Sequence, residues 1–419
     1  MGLVSPQKEG GQLTFAAAEG PGFPPGTLLT SPTTRTRGLI GAIDLTPEGL
    51  PVQAKPGTVA ELLKFKWRIE ATEASKDAVL GVYGALAGIG LLLGIAATYR
   101  KKFVYQVQGL LAIGAAGPTA LLLSPLVAPA DTGLQILCFL LASVVLTLLA
   151  QIAGRRQYPV RNLLRLLIVV IFIDTIGHFG LIANSALSAY YISGIRFYGI
   201  GNEYMGLLLG AVIMCVPLSW MAYMAIATAL LLGLSPLGAD AGGAVVATAA
   251  LIPWPALPLS SPPQLGKWVK PIAVRVTLGV GVAILLALLE RYVLPADQRS
   301  HIGRAAGGGG ALWGEIILRK IRMNLRLSTV PWTLMGLVGV GGATIWLAKS
   351  PVGAHIKRSP ELSQRVAQAL LAAIATAVFN DSGVIAALLL LAPVLFTVVE
   401  SALCATSELI MEPSESVSP

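Results

Sequence analysis

The stretch ILCFLLASVVLTLLA, Ile136–Ala150, sits inside a longer uncharged run, 132–153, and that run decides the fold. It has the length a hydrocarbon core demands of one helix and no charge to hold it in water. Similar runs lie on either side, among them LLLGIAATY at 91–99 and LLIVVIFI at 166–173. The chain of 419 residues is 55% hydrophobic and only 12% charged. That balance overrides the soluble-domain prior that length alone would give. The fold class expected is an all-α polytopic integral membrane protein of about 11 transmembrane helices (about 10–12), preceded by a short, mostly irregular N-terminal remnant.

Three parts follow from the pattern. Residues 1–77 are rich in Gly and Pro (GPGFPPG, SPTT, KPGT), with one strand-like run, LIGAIDL at Leu39–Leu45, and an amphipathic lead-in helix from Val59. Residues 78–404 form the membrane domain, and 405–419 a polar tail. Spans are expected at 78–99, 103–127, 132–153, 162–182, 243–259, 272–294, 331–348, 363–379 and 384–404, with 205–234 between the fourth and fifth of these. The last stretch is long for one span and short for two, and Pro217 near its middle favours a hairpin of two short helices.

Charge sets the orientation. RKK at 100–102, RRQYPVR at 155–161, KWVK at 267–270 and KSPVGAHIKR at 349–358 alternate with loops poor in Lys and Arg. Basic loops stay in the cytoplasm, so the N-terminus is expected outside and the C-terminus inside. RFYGIGNEY (196–204), GADAGG (238–243), SHIGR (300–304) and NDSG (380–383) then all face outward. The same rule explains the net charge of +9 without nucleic acid, which is not an expected partner. MGLVSPQKEGGQLTF lacks the early basic patch and apolar stretch of a secretory leader. An outer N-terminal segment therefore follows the first helix across, or belongs to a chain that starts further upstream.

One segment breaks the charge rule. In GALWGEIILRKIRMNLRLSTVPW, Arg319, Lys320, Arg322 and Arg326 fall on the outer side, while Ile316, Ile317, Ile321 and Leu325 recur at helical spacing. Two readings stand: an interfacial helix held by lipid headgroups, or an anion site for a phosphorylated lipid or substrate, since clustered Arg suits phosphate geometry. A discrete site would make Arg322 and Arg326 irreplaceable by Lys and leave Lys320 tolerant of Arg.

Ionisable residues inside a membrane raise a functional hypothesis by default. Asp174 and His178 lie one turn apart and read as a structural pair or a proton relay. Glu203, Asp240, Asp381 and His301 are candidate catalytic residues at the outer face. Arg196, Asn202, Arg304, Arg319, Arg322, Arg326 and Asn380 are candidate substrate-binding residues. The bland alternatives are a helix-start acid at Glu203, close helix packing for GADAGG and a tight turn at NDSG. Cys138, Cys215 and Cys404 lie in apolar runs and form no metal-ligand pattern. No Walker loop, HExxH or GxSxG occurs, and no metal or cofactor is expected.

Gly11–Leu50, GQLTFAAAEGPGFPPGTLLTSPTTRTRGLIGAIDLTPEGL, resembles the closing segment of alkaline-phosphatase-superfamily domains. There a strand with a DIAPT-like sequence runs into the final helix; Asp44, Leu45, Thr46 and Pro47 match, and Glu48 stands where Thr is usual. The remainder, with RFYGIGNEYMG, RKIRMN and FNDSG, resembles the membrane region of uncharacterised bacterial proteins in which such an outer domain precedes the helices. The resemblance implies an extracytoplasmic N-terminus. The superfamily's metal ligands and nucleophile lie mostly upstream of this closing segment and have no counterpart here, so the phosphatase-like chemistry is missing from this chain. A separately encoded phosphatase-like domain is then an expected partner, alongside membrane lipid and a lipid-linked phosphate.

Three functional readings follow. The first is the membrane module of a bacterial cell-envelope protein in the inner membrane, binding or processing a lipid-linked or anionic substrate at the outer face, with the 319–326 helix engaging phosphate. The second is a secondary transporter that uses Asp174, His178 and Asp240 for coupling. The third is a structural anchor whose catalytic domain is lost. Enzyme, transporter and anchor stay open at this stage.

Overall fold

The structure is a computed structural model and describes residues 16–45, 52–127, 131–154, 158–188, 191, 197–252, 265–295 and 310–411. It is 78% helical with almost no sheet. Near the N-terminus, β1 (Thr27–Thr30) pairs antiparallel with β2 (Gln53–Pro56), Thr27 opposite Pro56 and Thr30 opposite Gln53.

The strand expected at Leu39–Leu45 does not form. Leu39 makes one isolated bridge to Thr30, and Ala42–Leu45 is a turn of 3-10 helix. Asp44 is the cause. Its buried carboxylate accepts from Gly41 N at 2.7 Å, Ser31 Oγ at 2.6 Å and Thr33 Oγ1 at 2.5 Å. A short acidic side chain that bonds its own backbone curls the chain away from a ladder.

The lead-in helix and the first expected span are one element, α1 (Val59–Arg100), begun by a capping box in which Glu61 N donates to Thr58 Oγ1 and Thr58 N to Glu61 Oε2. There follow α2 (Val104–Leu123), α3 (Thr132–Ala153), α4 (Pro159–Gly177), the short α5 (Leu181–Asn184), α6 (Asn202–Cys215), α7 (Met221–Gly233) and α8 (Ala241–Leu251). The chain continues through α9 (Leu265–Val293), α10 (Gly310–Ser328), α11 (Pro331–Ala348), α12 (Pro351–Arg358), α13 (Pro360–Phe379) and α14 (Gly383–Met411). Among the described residues, six helices are long and apolar enough to cross a membrane: α1, α2 with the turn that extends it, α3, α9, α13 and α14.

The stretch 205–234 is broken where Pro217 falls, into α6 of 14 residues and α7 of 13. Ile200 N donates to Gly238 O at 2.9 Å, so the start of α6 and the chain just past α7 meet at one end. The pair is a hairpin. α8 is shorter still, at 11 residues. At 1.5 Å per residue these helices reach only about 16–21 Å, against a hydrocarbon core of about 30 Å.

Burial is inverted relative to a water-soluble bundle. α6 is buried from Tyr204 to Cys215, whereas α3 turns Leu137, Leu141 and Leu148 outward. Exposed apolar faces of that extent suit contact with lipid. α6 lies closest to α14. A Cβ on Gly206 would meet Ala386 O at 2.2 Å, and one on Gly210 would meet Leu390 O at 2.2 Å. Two glycines four apart let the backbones approach closely.

The bundle has two chemically distinct ends. At one, the basic segments gather: Glu400 of α14 accepts from Val160 N at 2.6 Å and Arg161 N at 3.2 Å, His355 Nε2 meets Ser401 Oγ at 2.9 Å, and Gln108 Nε2 reaches Cys404 Sγ at 3.3 Å. RKK, Arg161 and α12 therefore share this end. Of KWVK, only the Lys270 side chain lies within the described residues. The other end carries GNEY, GADAGG and NDSG, and SHIGR lies outside the described residues.

Candidate functional site

At the polar end, three chain joints are pinned to one another. The Asn202 side chain hydrogen-bonds Ser382 Oγ across the α6 start and the α13–α14 break. A Cβ on Gly242 would meet Asn380 Oδ1 at 2.4 Å, so GADAGG presses on NDSG. The basic helix α10 then lies across the break. Lys320 Nζ donates to Phe379 O at 2.6 Å, Asn324 Nδ2 donates to Asn380 O at 2.7 Å, and Val384 N donates to Asn324 Oδ1 at 3.2 Å. The broken helix leaves backbone groups without intrahelical partners, and α10 supplies them.

Beside this junction lies a cleft of about 440 Å³ between the N-terminal hairpin and the helix ends. Its walls include Arg35 and Lys55 from the N-terminal segment, Asp174 and His178 from the end of α4, and the rings of Tyr191 and Tyr198. Arg35 ties the two halves together. Its guanidinium donates to Ser235 O at 2.7 Å and Ser235 Oγ at 3.0 Å, and stacks 3.9 Å from the centre of the Tyr198 ring. Tyr191 meets Phe65 edge-on at 5.3 Å, and burial pushes its phenol above the ordinary value against a weaker opposing hydrogen bond to Thr36.

The sequence-derived candidates divide. Asp174 and His178 both line the cleft. The buried Asp174 carboxylate accepts from Leu181 N at 2.8 Å and Ile182 N at 2.9 Å, so backbone donors at the start of α5 take it up rather than the exposed His178 ring. Asp240 caps α8 through Gly243 N at 3.0 Å, and its other carboxylate oxygen is buried without a hydrogen-bond partner. Glu203 sits half-buried in the first turn of α6, where the helix dipole favours an acid. Asp381 lies 3.6 Å from Arg319 and 3.9 Å from Lys320. Asn380 is buried, and Arg322 and Arg326 are exposed on α10. Arg196, His301 and Arg304 lie outside the described residues.

Several residues that matter here were not singled out from the sequence. Lys55 and Tyr191 reach the cleft through tertiary packing that brings β2 and the Tyr191 ring beside the end of α4. Arg365 Nη1 donates to Ile213 O at the end of α6, and Gln368 Nε2 to Ala250 O at the end of α8. These two side chains of α13 cap the half-length helices. The one signal available was a polar residue at each of two positions, one turn apart, in an otherwise apolar helix. Among the described residues, no group of three or more His, Cys, Asp or Glu could hold a metal.

Fold and site together define an all-helical, multi-pass membrane protein with a polar cleft at one end. No family model, curated protein or solved structure matches the chain.

Proposed function

We propose that this chain is the membrane module of a bacterial cell-envelope protein that binds or processes a lipid-linked or anionic substrate at the outer face of the cytoplasmic membrane. In this reading the bilayer holds about eleven helices, α6 and α7 among them as a hairpin of two short helices. The cleft end and the N-terminal segment face outward, and the basic end and the C-terminus face the cytoplasm. The N-terminal segment is the closing piece of an alkaline-phosphatase-like outer domain, whose catalytic part a separately encoded partner would supply.

The observation that carries the reading is the cleft. Arg35, Lys55 and His178 bring cationic and imidazole groups beside Tyr191 and Tyr198. An apolar and aromatic wall with a few convergent polar groups is the general make-up of a ligand site, and the excess of cationic groups selects an anion. The test is binding of a polyprenyl phosphate to the full chain in zwitterionic nanodiscs. Lys55→Gln and His178→Gln each lower the affinity on the order of tenfold, the loss of one charge-assisted contact. Unchanged affinity in both variants defeats the reading.

The half-length helices favour a second reading, that of a secondary transporter. Discontinuous helices that end inside the bilayer are where such proteins place their sites, and α6 and α8 have that length. Asp240, with one buried carboxylate oxygen unpartnered, would be the coupling group. Ligand-driven proton uptake into proteoliposomes, lost in Asp240→Asn, would decide for transport over binding alone.

A further inference from the structure

The surface of α10 is divided three ways, and each sector wants a different medium. Lys320 and Asn324, four apart, face the α13–α14 break and are bonded to it. Leu318, Ile321 and Leu325 form a second sector and are exposed. Arg319, Arg322 and Arg326 form the third and are exposed as well. In water the leucines and the isoleucine would be left wet; in hydrocarbon three guanidinium groups would be stripped of water. Only the boundary between acyl chains and headgroups satisfies both sectors at once. The place in the chain agrees: α11 begins at Pro331, directly after α10 ends at Ser328.

Among the described residues, the charges on the third sector are only partly balanced. Arg319 has Asp381 at 3.6 Å. Arg322 and Arg326 have no acidic residue within four positions on either side, and none of the ion pairs among the described residues includes them. They stand one turn apart on one face of the helix. Neither lines the cleft.

We propose that α10 is a binding surface for anionic phospholipids of the bilayer, and that their headgroup phosphates, held by Arg322 and Arg326, keep α10 docked on the break between α13 and α14. Leu318, Ile321 and Leu325 enter the acyl region beside them. The docked helix then supplies Phe379 O, Asn380 O and Val384 N with their partners, so lipid bound on the outer side of α10 stabilises the joint on its inner side. Ligands that bind one state of an equilibrium shift it by their differential affinity. This surface is separate from the cleft and does not depend on what the cleft binds.

The test uses the full chain in nanodiscs of phosphatidylcholine, with and without about 30 mol% phosphatidylglycerol, an anionic lipid that raises the surface field. The wild-type unfolding midpoint rises with the anionic lipid, and high salt reduces the rise. Amide exchange of the peptide covering Asn380–Ala386 slows in parallel. Arg322→Gln with Arg326→Gln loses more than half of both effects, whereas Lys102→Gln at the opposite end keeps them. Arg322→Lys with Arg326→Lys also keeps most of both, because a headgroup layer reads charge, and this variant serves if the Gln pair fails to fold. A wild-type midpoint indifferent to the anionic lipid overturns the proposal. So does a Gln pair that responds like wild type. A Lys pair as impaired as the Gln pair overturns it in favour of a discrete phosphate site built on guanidinium geometry. None of these outcomes bears on polyprenyl phosphate binding at Lys55 and His178.

Discussion

Gly206 and Gly210 let α6 lie hard against α14, and the bulk they lack is their whole contribution. A methyl at either position would drive into a main-chain carbonyl of α14 rather than into a side chain that could swing aside. Gly206→Ala and Gly210→Ala therefore destabilise the fold by about 1–3 kcal/mol each, the usual range for overpacking. Gly281→Ala is the control, since a Cβ there meets nothing within 4 Å and Ala is the better helix former by about 1 kcal/mol. Thermal unfolding of the three variants in one detergent checks the ordering; if Gly210→Ala behaves like Gly281→Ala, the tight α6–α14 contact is not there. The GLLLG spacing at 206–210 is in the sequence, whereas close helix packing was expected of GADAGG and not of it. What it packs against is not legible there, because Ala386 and Leu390 lie far along the chain.

A second residue gives a pH dependence. His355 of α12 hydrogen-bonds Ser401 at the basic end. Burial first, then the nearby Arg161 and Arg358 charges, lower its pKa below the ordinary value. The folded state thus prefers neutral imidazole. Its contribution is full above the unfolded value of about 6.5 and is lost as pH falls through the folded pKa, because the unfolded chain then binds the proton more readily. Between pH 7.5 and 5.5 the unfolding midpoint of the wild type falls, and His355→Gln flattens that part of the curve. An identical slope in both proteins would assign the acid sensitivity elsewhere.

At the scale of elements, hydropathy alone located the helices, because an uninterrupted apolar run has few other fates in a chain this poor in charge. The hairpin at 205–234 was legible for the same reason, with Pro217 marking its break. The strand at Leu39–Leu45 was misread because Asp44 draws three donors across from Ser31, Thr33 and Gly41, a tertiary arrangement that alternation of apolar residues does not encode. The site was legible only in outline. Glycine-rich and polar interruptions marked the right joints, yet Asp174 turned out to hold backbone donors of α5, and Glu400 serves α4 from 240 positions away. Lys320, which sequence treats as the most replaceable of four cations, is hydrogen-bonded into the joint.

For the whole molecule, the separation of polar and basic ends is a statement about sidedness. In a chain with Cys138, Cys215 and Cys404 replaced, Lys55→Cys on the cleft end reacts with an impermeant thiol reagent added outside intact cells. Lys102→Cys and Lys357→Cys react only after the membrane is opened. Both residues lie on the end that carries Arg161 and His355. External labelling of Lys357→Cys would invert or break the proposed topology, and with it the outward placement of the cleft.

The caps on α6 and α8 carry a consequence for how the protein is made. Arg365 and Gln368 belong to a helix synthesised 152 and 118 residues after the carbonyls they hold. At about 5–20 residues per second, those carbonyls wait on the order of ten seconds inside or beside the bilayer, where an unsatisfied backbone group is costly. Neither helix is long enough to settle across the hydrocarbon alone, so until α13 arrives each must be sheltered by water, headgroups or the insertion machinery. Biogenesis therefore has a commitment point: α1 to α12 can be made while the centre of the bundle is still open, and the arrival of α13 closes it.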